Sequence, residues 1–126
     1  MDIFHLDAKQ NTPFVHFDAQ LGVMEMKGRS TPENSVEFYS PILDWLDHYC
    51  KNPAEQTVVN VRYEYFNTSS SKCILDVFKK LSKLHKEGKT VKVNWYYEEE
   101  DEDMQEAGED YSDILGIPFD ILEIPE

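Results

Sequence analysis

The sequence predicts an α/β fold: a mixed, mostly parallel sheet of about five strands that opens with an antiparallel hairpin and carries three helices. Three observations predict it. Runs rich in β-branched and aromatic residues stand at 14–18, 23–28, 58–66, 90–97 and 119–124. Between the last four lie segments with apolar residues at helical spacing, and such strand-helix-strand units build parallel sheets through right-handed crossovers. The chain has 126 residues, 40% hydrophobic and 13% aromatic, which suits one folded domain over residues 1–126.

The first run, Phe14-Val-His-Phe-Asp18, places Phe14, His16 and Asp18 on one side and Val15 and Phe17 on the other. The turn Asp18-Ala-Gln-Leu-Gly22 leads into Val23-Met-Glu-Met-Lys-Gly28, a hairpin. His16 reads as an ordinary strand residue, since no second His or acid at metal spacing accompanies it in sequence. Arg29-Ser-Thr-Pro-Glu-Asn-Ser35 is a loop by composition, with Asn34 or Ser35 placed to cap a helix of about Ser35 to Lys51. Tyr39, Ile42, Leu43, Leu46 and Tyr49 form its apolar face, Phe38 and Trp45 widen it, and Pro53 stops it.

Val58, Val59, Val61, Tyr63, Tyr65 and Phe66 then make a strand that reads as largely buried. After Asn67 the period changes. Ile74, Val77, Phe78, Leu81 and Leu84 recur at helical spacing, Lys72, Lys79, Lys80, Lys83 and Lys86 fall mainly on the remaining surface, and Gly88 closes the helix. Thr90 to Tyr97 is the next strand, with Val91, Val93, Trp95 and Tyr97 on one side. Six acids, Glu98 to Asp103, lead into a weaker helix carrying Met104, Ala107, Tyr111, Ile114 and Leu115, with Gly108 as its weak point. Gly116 and Pro118 end it before a last strand, Phe119 to Ile124.

Composition excludes several functions. The net charge of −13 is local: residues 98–126 hold thirteen acids and no Lys or Arg, leaving twelve acids against twelve bases before them. That distribution argues against nucleic acid or an anionic membrane as partner. No apolar run has the length of a membrane span and no signal-peptide pattern opens the chain, so a cytoplasmic protein is expected. Cys50 and Cys73 lack metal or redox spacing and read as small core residues. The acidic run lacks EF-hand spacing, and no metal or cofactor is expected. GxSxG, Walker and HExxH motifs are missing, so no catalytic residue is assigned.

Three strand-to-helix loops should gather at the carboxyl edge of the sheet: 29–34, 67–71 and 98–103. The turn Asn67-Thr-Ser-Ser-Ser71 sits where a helix begins, with unpaired N–H groups and the positive end of the helix dipole. Thr68, Ser69 or Ser70 would serve as the cap. Four adjacent hydroxyls exceed what one cap requires, and a phosphoryl group would find donors there. Sequence logic leaves that four-hydroxyl window open.

A strand, a hydroxyl-bearing turn, an amphipathic helix ending in Gly and another strand resemble the STAS domain of anti-sigma factor antagonists. Gly28-Arg-Ser-Thr-Pro-Glu-Asn34 and Tyr65-Phe-Asn-Thr-Ser-Ser-Ser-Lys72 narrow the resemblance to the SiaC family of bacterial regulatory phosphoproteins, from Thr12 to about Ile124. This resemblance implies a STAS-like fold and a partner switch. It implies that a histidine-kinase-like serine/threonine kinase phosphorylates Thr68, that a PP2C-type phosphatase reverses this, and that the unphosphorylated form binds a target such as a diguanylate cyclase in cyclic-di-GMP signalling and biofilm regulation. Thr31, Pro32, Glu33, Asn34, Asn67, Ser69, Ser70 and Lys72 are the expected partner-binding residues. Thr31 departs from the aromatic the family commonly carries there, and Lys72 either pairs with the phosphate or stays solvated.

The leading reading is therefore a non-enzymatic phosphoregulated adaptor. A rival is a small acidic-cleft hydrolase pairing Glu33 with an acid from 98–103. A third is a homodimerising scaffold using the Trp45 or Trp95 face.

Overall fold

The computed structural model describes residues 3–124. Its strands are β1 (Phe4–Leu6), β2 (Phe14–Asp18), β3 (Val23–Ser30), β4 (Gln56–Phe66), β5 (Thr90–Glu98) and β6 (Phe119–Ile124). The helices α1 (Ser35–Tyr49), α2 (Thr68–Lys86) and α3 (Glu102–Leu115) follow β3, β4 and β5 respectively. Strand order in the sheet equals chain order. The first two pairings are antiparallel and the remaining three parallel. The α/β class, the N-terminal hairpin and the three helices match the sequence reading.

The sheet has six strands rather than about five. The additional one is β1, which pairs Phe4, His5 and Leu6 with Phe17, His16 and Val15. Three residues centred on a histidine give no alternating run to read; pairing with β2 makes them a strand.

Since the order never reverses, the helices share one face. Their apolar stripes and the inward strand residues form one buried cluster, from Val15 and Phe17 through Val59 and Val61 to Val93 and Phe119. Along β4, Thr57, Val59, Val61 and Tyr63 are buried, while Val58, Asn60, Arg62 and Glu64 are not. The strand is thus half-buried, not largely buried, because only one face is covered.

Trp95 is the centre of the α2/α3 half of the core, with Phe78, Tyr111 and Phe119 rings within 5.5–6.2 Å of its centroid. Its indole N–H donates to the Met104 carbonyl at 2.9 Å, the partner a buried indole requires. Burying a side chain of this size contributes on the order of 1.5–3 kcal/mol or more. In the other half Trp45 stacks on Tyr49 at 5.4 Å and meets Phe17 edge-on. Trp95 is 0% and Trp45 9% exposed, so neither presents a face for self-association, contrary to the scaffold reading.

Helix ends follow local chemistry. α2 closes in a Schellman arrangement: Gly88, at φ 88°, donates to the His85 carbonyl and Lys89 to the Leu84 carbonyl. α1 stops at Tyr49, two residues short of the expected end, where the Tyr49 hydroxyl turns to Thr57 at 2.8 Å. Ile114, expected on the packed face of α3, is 64% exposed. Gly108 faces Trp95 so closely that a Cβ there would overlap the indole ring. The weak point of the helix by propensity is the position that lets α3 lie on the tryptophan.

Gly108→Ala therefore separates propensity from packing. The helix gains up to about 1 kcal/mol of propensity, but overpacking costs roughly 1–3 kcal/mol, so urea titration should show net destabilisation with an altered Trp95 emission. A stabilised variant would contradict the contact.

Candidate functional site

The β3–β4 register ends at Ser30 opposite Phe66, so the loops into α1 and α2 leave the same sheet edge side by side. The Asn67 N–H donates to the Ser30 carbonyl at 3.2 Å, and the Thr31 N–H to the Asn11 carbonyl at 2.8 Å. Asn34 caps α1, its Oδ1 accepting from the Glu37 N–H at 3.1 Å. Asn67 caps α2 in the same way, accepting from the Ser70 N–H at 2.9 Å. The cap is thus Asn67 and not Thr68, Ser69 or Ser70. A carboxamide one residue earlier reaches the third amide of the helix, a geometry Asn supplies as well as Ser or Thr.

Behind these caps lies a chain of hydroxyls that runs from the core out to the surface at Ser69. Ser30 Oγ donates to Ser70 Oγ at 2.9 Å, and Ser69 Oγ donates to Asn67 Oδ1 at 3.2 Å. Those two protons fix the rest, because each hydroxyl has one to give. Tyr39 must donate to Ser30 (2.7 Å), Ser70 to Ser35 (3.3 Å) and Ser35 to Ser69 (2.8 Å). One head-to-tail series, Tyr39 to Ser30 to Ser70 to Ser35 to Ser69 to Asn67, joins β3, α1 and α2, and the single Tyr63 proton faces both Tyr39 Oη at 3.1 Å and Met26 Sδ at 3.5 Å. Such a series strengthens each member. Burial raises the Tyr39 phenol, and raises Tyr63 well above its ordinary value with the adjacent Tyr39 adding to the effect, so both remain neutral donors.

This network sorts the four-hydroxyl window. Ser70, expected among the partner-binding residues, is 0% exposed and cannot meet a partner. Ser69 is exposed but its hydroxyl is engaged twice. Ser71 Oγ donates to the Thr68 carbonyl at 2.8 Å. Thr68 is exposed at the first position of α2, and its hydroxyl makes no hydrogen bond among the described residues. The amides of Thr68 and Ser69 have no intrahelical acceptor.

The other expected residues lie along the same rim. Glu33, Asn34 and Lys72 are exposed; Thr31, Pro32 and Asn67 are half-buried, Thr31 reaching Asn11 at 3.3 Å. Lys72 is one turn beyond Thr68 and makes no ion pair among the described residues. Arg29 lies 5.3 Å from the ring centroid of exposed Tyr65. The acidic loop joins from the far side: Asp101 caps α3 through the Met104 N–H at 3.0 Å, with Glu102 and Asp103 in the first turn, where the dipole favours them. Tyr111 donates to the Ser71 carbonyl at 2.8 Å and ties α3 to the start of α2.

Glu33 lines a depression with Leu6 and Phe38, whereas Asp101 and Asp103 line a different one beside Tyr65 and Phe66, so they do not converge as a hydrolase pair would. His16 has a neighbour that the sequence spacing hid: across β1, His5 Nδ1 lies 2.9 Å from His16 Nδ1 and its Nε2 2.8 Å from Asp7. Among the described residues no three His, Cys, Asp or Glu side chains converge as metal ligands, and no helix is long and apolar enough to cross a membrane. Both cysteines are free. Sequence reasoning missed Ser30, Ser35, Tyr39 and Tyr63; the only available signal was two serines flanking the Pro-Glu-Asn loop.

Residues 6–124 match the SiaC family regulatory phosphoprotein. An uncharacterised protein of Pseudomonas aeruginosa strain UCBPP-PA14 is 31% identical over 121 residues, covering 96% of both chains. The crystal structure of apo-SiaC from Pseudomonas aeruginosa superposes with a TM-score of 0.90 at 30% identity, covering 97% of this chain and 99% of that one. SiaC in complex with the diguanylate cyclase SiaD, which it activates, gives 0.89 at 30% identity, covering 96% and 99%.

The two adjacent cap residues should behave differently. Asn67→Ala should lower stability by about 0.5–2 kcal/mol in urea titration, while Thr68→Ala stays within about 0.5 kcal/mol of the parent. Alkaline pH probes the hydroxyl chain. Burial raises Tyr39, Tyr63 and Tyr111, so the unfolded chain loses phenolic protons first. Stability should hold up to about pH 10 and fall as pH climbs through the folded values, and Tyr63→Phe should flatten that fall in thermal melts.

Proposed function

Because this chain belongs to the SiaC family of regulatory phosphoproteins, we propose that it is a non-enzymatic, cytoplasmic partner-switching domain with Thr68 as its reversible phosphorylation site. A histidine-kinase-like serine/threonine kinase adds the phosphate and a PP2C-type phosphatase removes it. The unphosphorylated form binds a diguanylate cyclase, as SiaC of Pseudomonas aeruginosa is found bound to SiaD.

The observation that carries this reading is the state of Thr68: exposed, with an unengaged hydroxyl on the first residue of a helix held rigidly by its neighbours. A kinase can approach it without unfolding anything. A phosphate on it meets unpaired amides, the positive helix end and Lys72. It also brings about −1.5 to −2 charges to a rim that already holds Glu33, Asp101 and Asp103. The same rim carries exposed apolar side chains, Val36 at 73% exposure in the first turn of α1 and Tyr65 at 49% near the end of β4. An apolar contact with a charge switch at its centre is gated by desolvation: the dianion must shed water to be covered, and the hydroxyl need not.

Incubation with the kinase and ATP, followed by mass spectrometry, should place one phosphate on Thr68 and none on Thr68→Ala. Unphosphorylated protein and Thr68→Ala should both bind the cyclase and raise its cyclic-di-GMP output, and the phosphorylated form should not. Phosphate on Ser69 with Thr68 untouched would overturn the assignment.

A further inference from the structure

The face of the sheet left bare by the helices is not uniformly ordinary. At its middle, Glu25, Lys27, Asn60, Arg62 and Tyr96 line a depression of about 280 Å³. Lys27 on β3 and Arg62 on β4 are direct Cα partners, two cations side by side on one sheet face. Like charges so placed destabilise a sheet. Lys27 is held on its β2 side, 4.7 Å above the Phe14 ring centroid, and Glu25 approaches it to 3.7 Å in a pair that is nearly half exposed on both sides, whereas Arg62 makes no ion pair or hydrogen bond among the described residues and is the cation left uncompensated. The Asn60 carbonyl oxygen is occupied by the Asn94 amide at 2.9 Å, which leaves its own NH₂ pointing elsewhere. The walls therefore hold four donor groups (the Arg62 fork, the Lys27 ammonium, the Asn60 amide, the Tyr96 hydroxyl) against one carboxylate, Glu25, which lies on the Lys27 side.

We propose that this depression is a binding site for a small organic phosphate bearing a planar ring. Donor-rich walls call for an acceptor-rich ligand, and a phosphate bridging Lys27 and the Arg62 fork removes their mutual repulsion while using the bidentate geometry guanidinium provides. The volume exceeds what a bare oxyanion fills and sits near the lower end of small-molecule sites, so the ligand carries an organic part; Tyr96 supplies an aromatic wall for it. The chain's charge of −13 repels anions at long range, but at physiological salt that repulsion fades within about 8 Å and the adjacent cations decide. The site is on the bare sheet face and draws nothing from the Thr68 reading.

Adenosine 5′-monophosphate is the probe, with adenosine and inorganic phosphate as controls, all at about 0.15 M salt. Titration followed by amide NMR should move resonances around residues 25–27, 60–62 and 94–96, with a dissociation constant in the millimolar range or tighter. Adenosine should move none of them. Tyr96→Leu should weaken the nucleotide several-fold and leave inorganic phosphate unchanged. The exposed double variant Lys27→Ala/Arg62→Ala, its fold checked by the unperturbed remainder of the spectrum, should bind the nucleotide at least about tenfold more weakly. No perturbation up to about 10 mM, shifts centred on the start of α2, or unchanged binding by the double variant would each overturn the proposal.

Discussion

Parallel pairing of β3 with β4 is the constraint from which the rest follows. It brings Ser30 beside Phe66, so the two loops that carry polar side chains emerge together and α1 and α2 start as neighbours. Two adjacent helix starts create a crowd of unpaired amides and like-oriented dipoles, an unfavourable junction if left bare. Here two asparagine caps and a head-to-tail series of hydroxyls fill it, and no buried side-chain polar atom among the described residues lacks a partner. Because Ser30 and Ser70 lie 40 residues apart in the chain, the junction forms only when the sheet has formed.

Under the proposed reading, that junction lets Thr68 be modified without loss of the fold. Serines 69, 70 and 71 all have bonds to keep: to α1, to β3 and to the backbone of their own turn. The Thr68 hydroxyl has none among the described residues and faces water. The labour is divided by burial. Hydroxyls that hold the structure are tied down, and one is left over. A negative group at that place is compatible with the helix below it and incompatible with an apolar surface laid over it, which is the physical content of the switch proposed here.

The molecule presents two unlike surfaces. Its carboxyl rim is built from loops and helix starts, with apolar Val36 and Tyr65 among acids, and is the surface on which the proposed partner would dock. On the bare sheet face strand register decides which side chains are neighbours, and its central cations stand against the acidic trend of the chain. Surplus negative charge accumulates on α3 and its approach, where Asp101 to Asp103 serve the helix start first. One-sided covering of the sheet produces both surfaces at once.

Much was legible in the sequence, and the reason is periodicity. Strand runs and helical stripes are local, so the class, the hairpin, the helices and the edge where the loops gather followed from them. β1 escaped because three residues carry no period, and Ile114 was misplaced because a helical interval does not say where the neighbouring strand ends. The hydroxyl window could be read too, since a turn rich in Ser and Thr before an amphipathic helix is a local signal. Which hydroxyl is left over could not. That depends on Ser30, Ser35 and Tyr39 reaching across from other elements, and on an asparagine taking the cap. Sequence spacing determines what each segment tends to be; only tertiary contact decides which polar groups are already spoken for, because hydrogen bonds between distant residues have no signature along the chain.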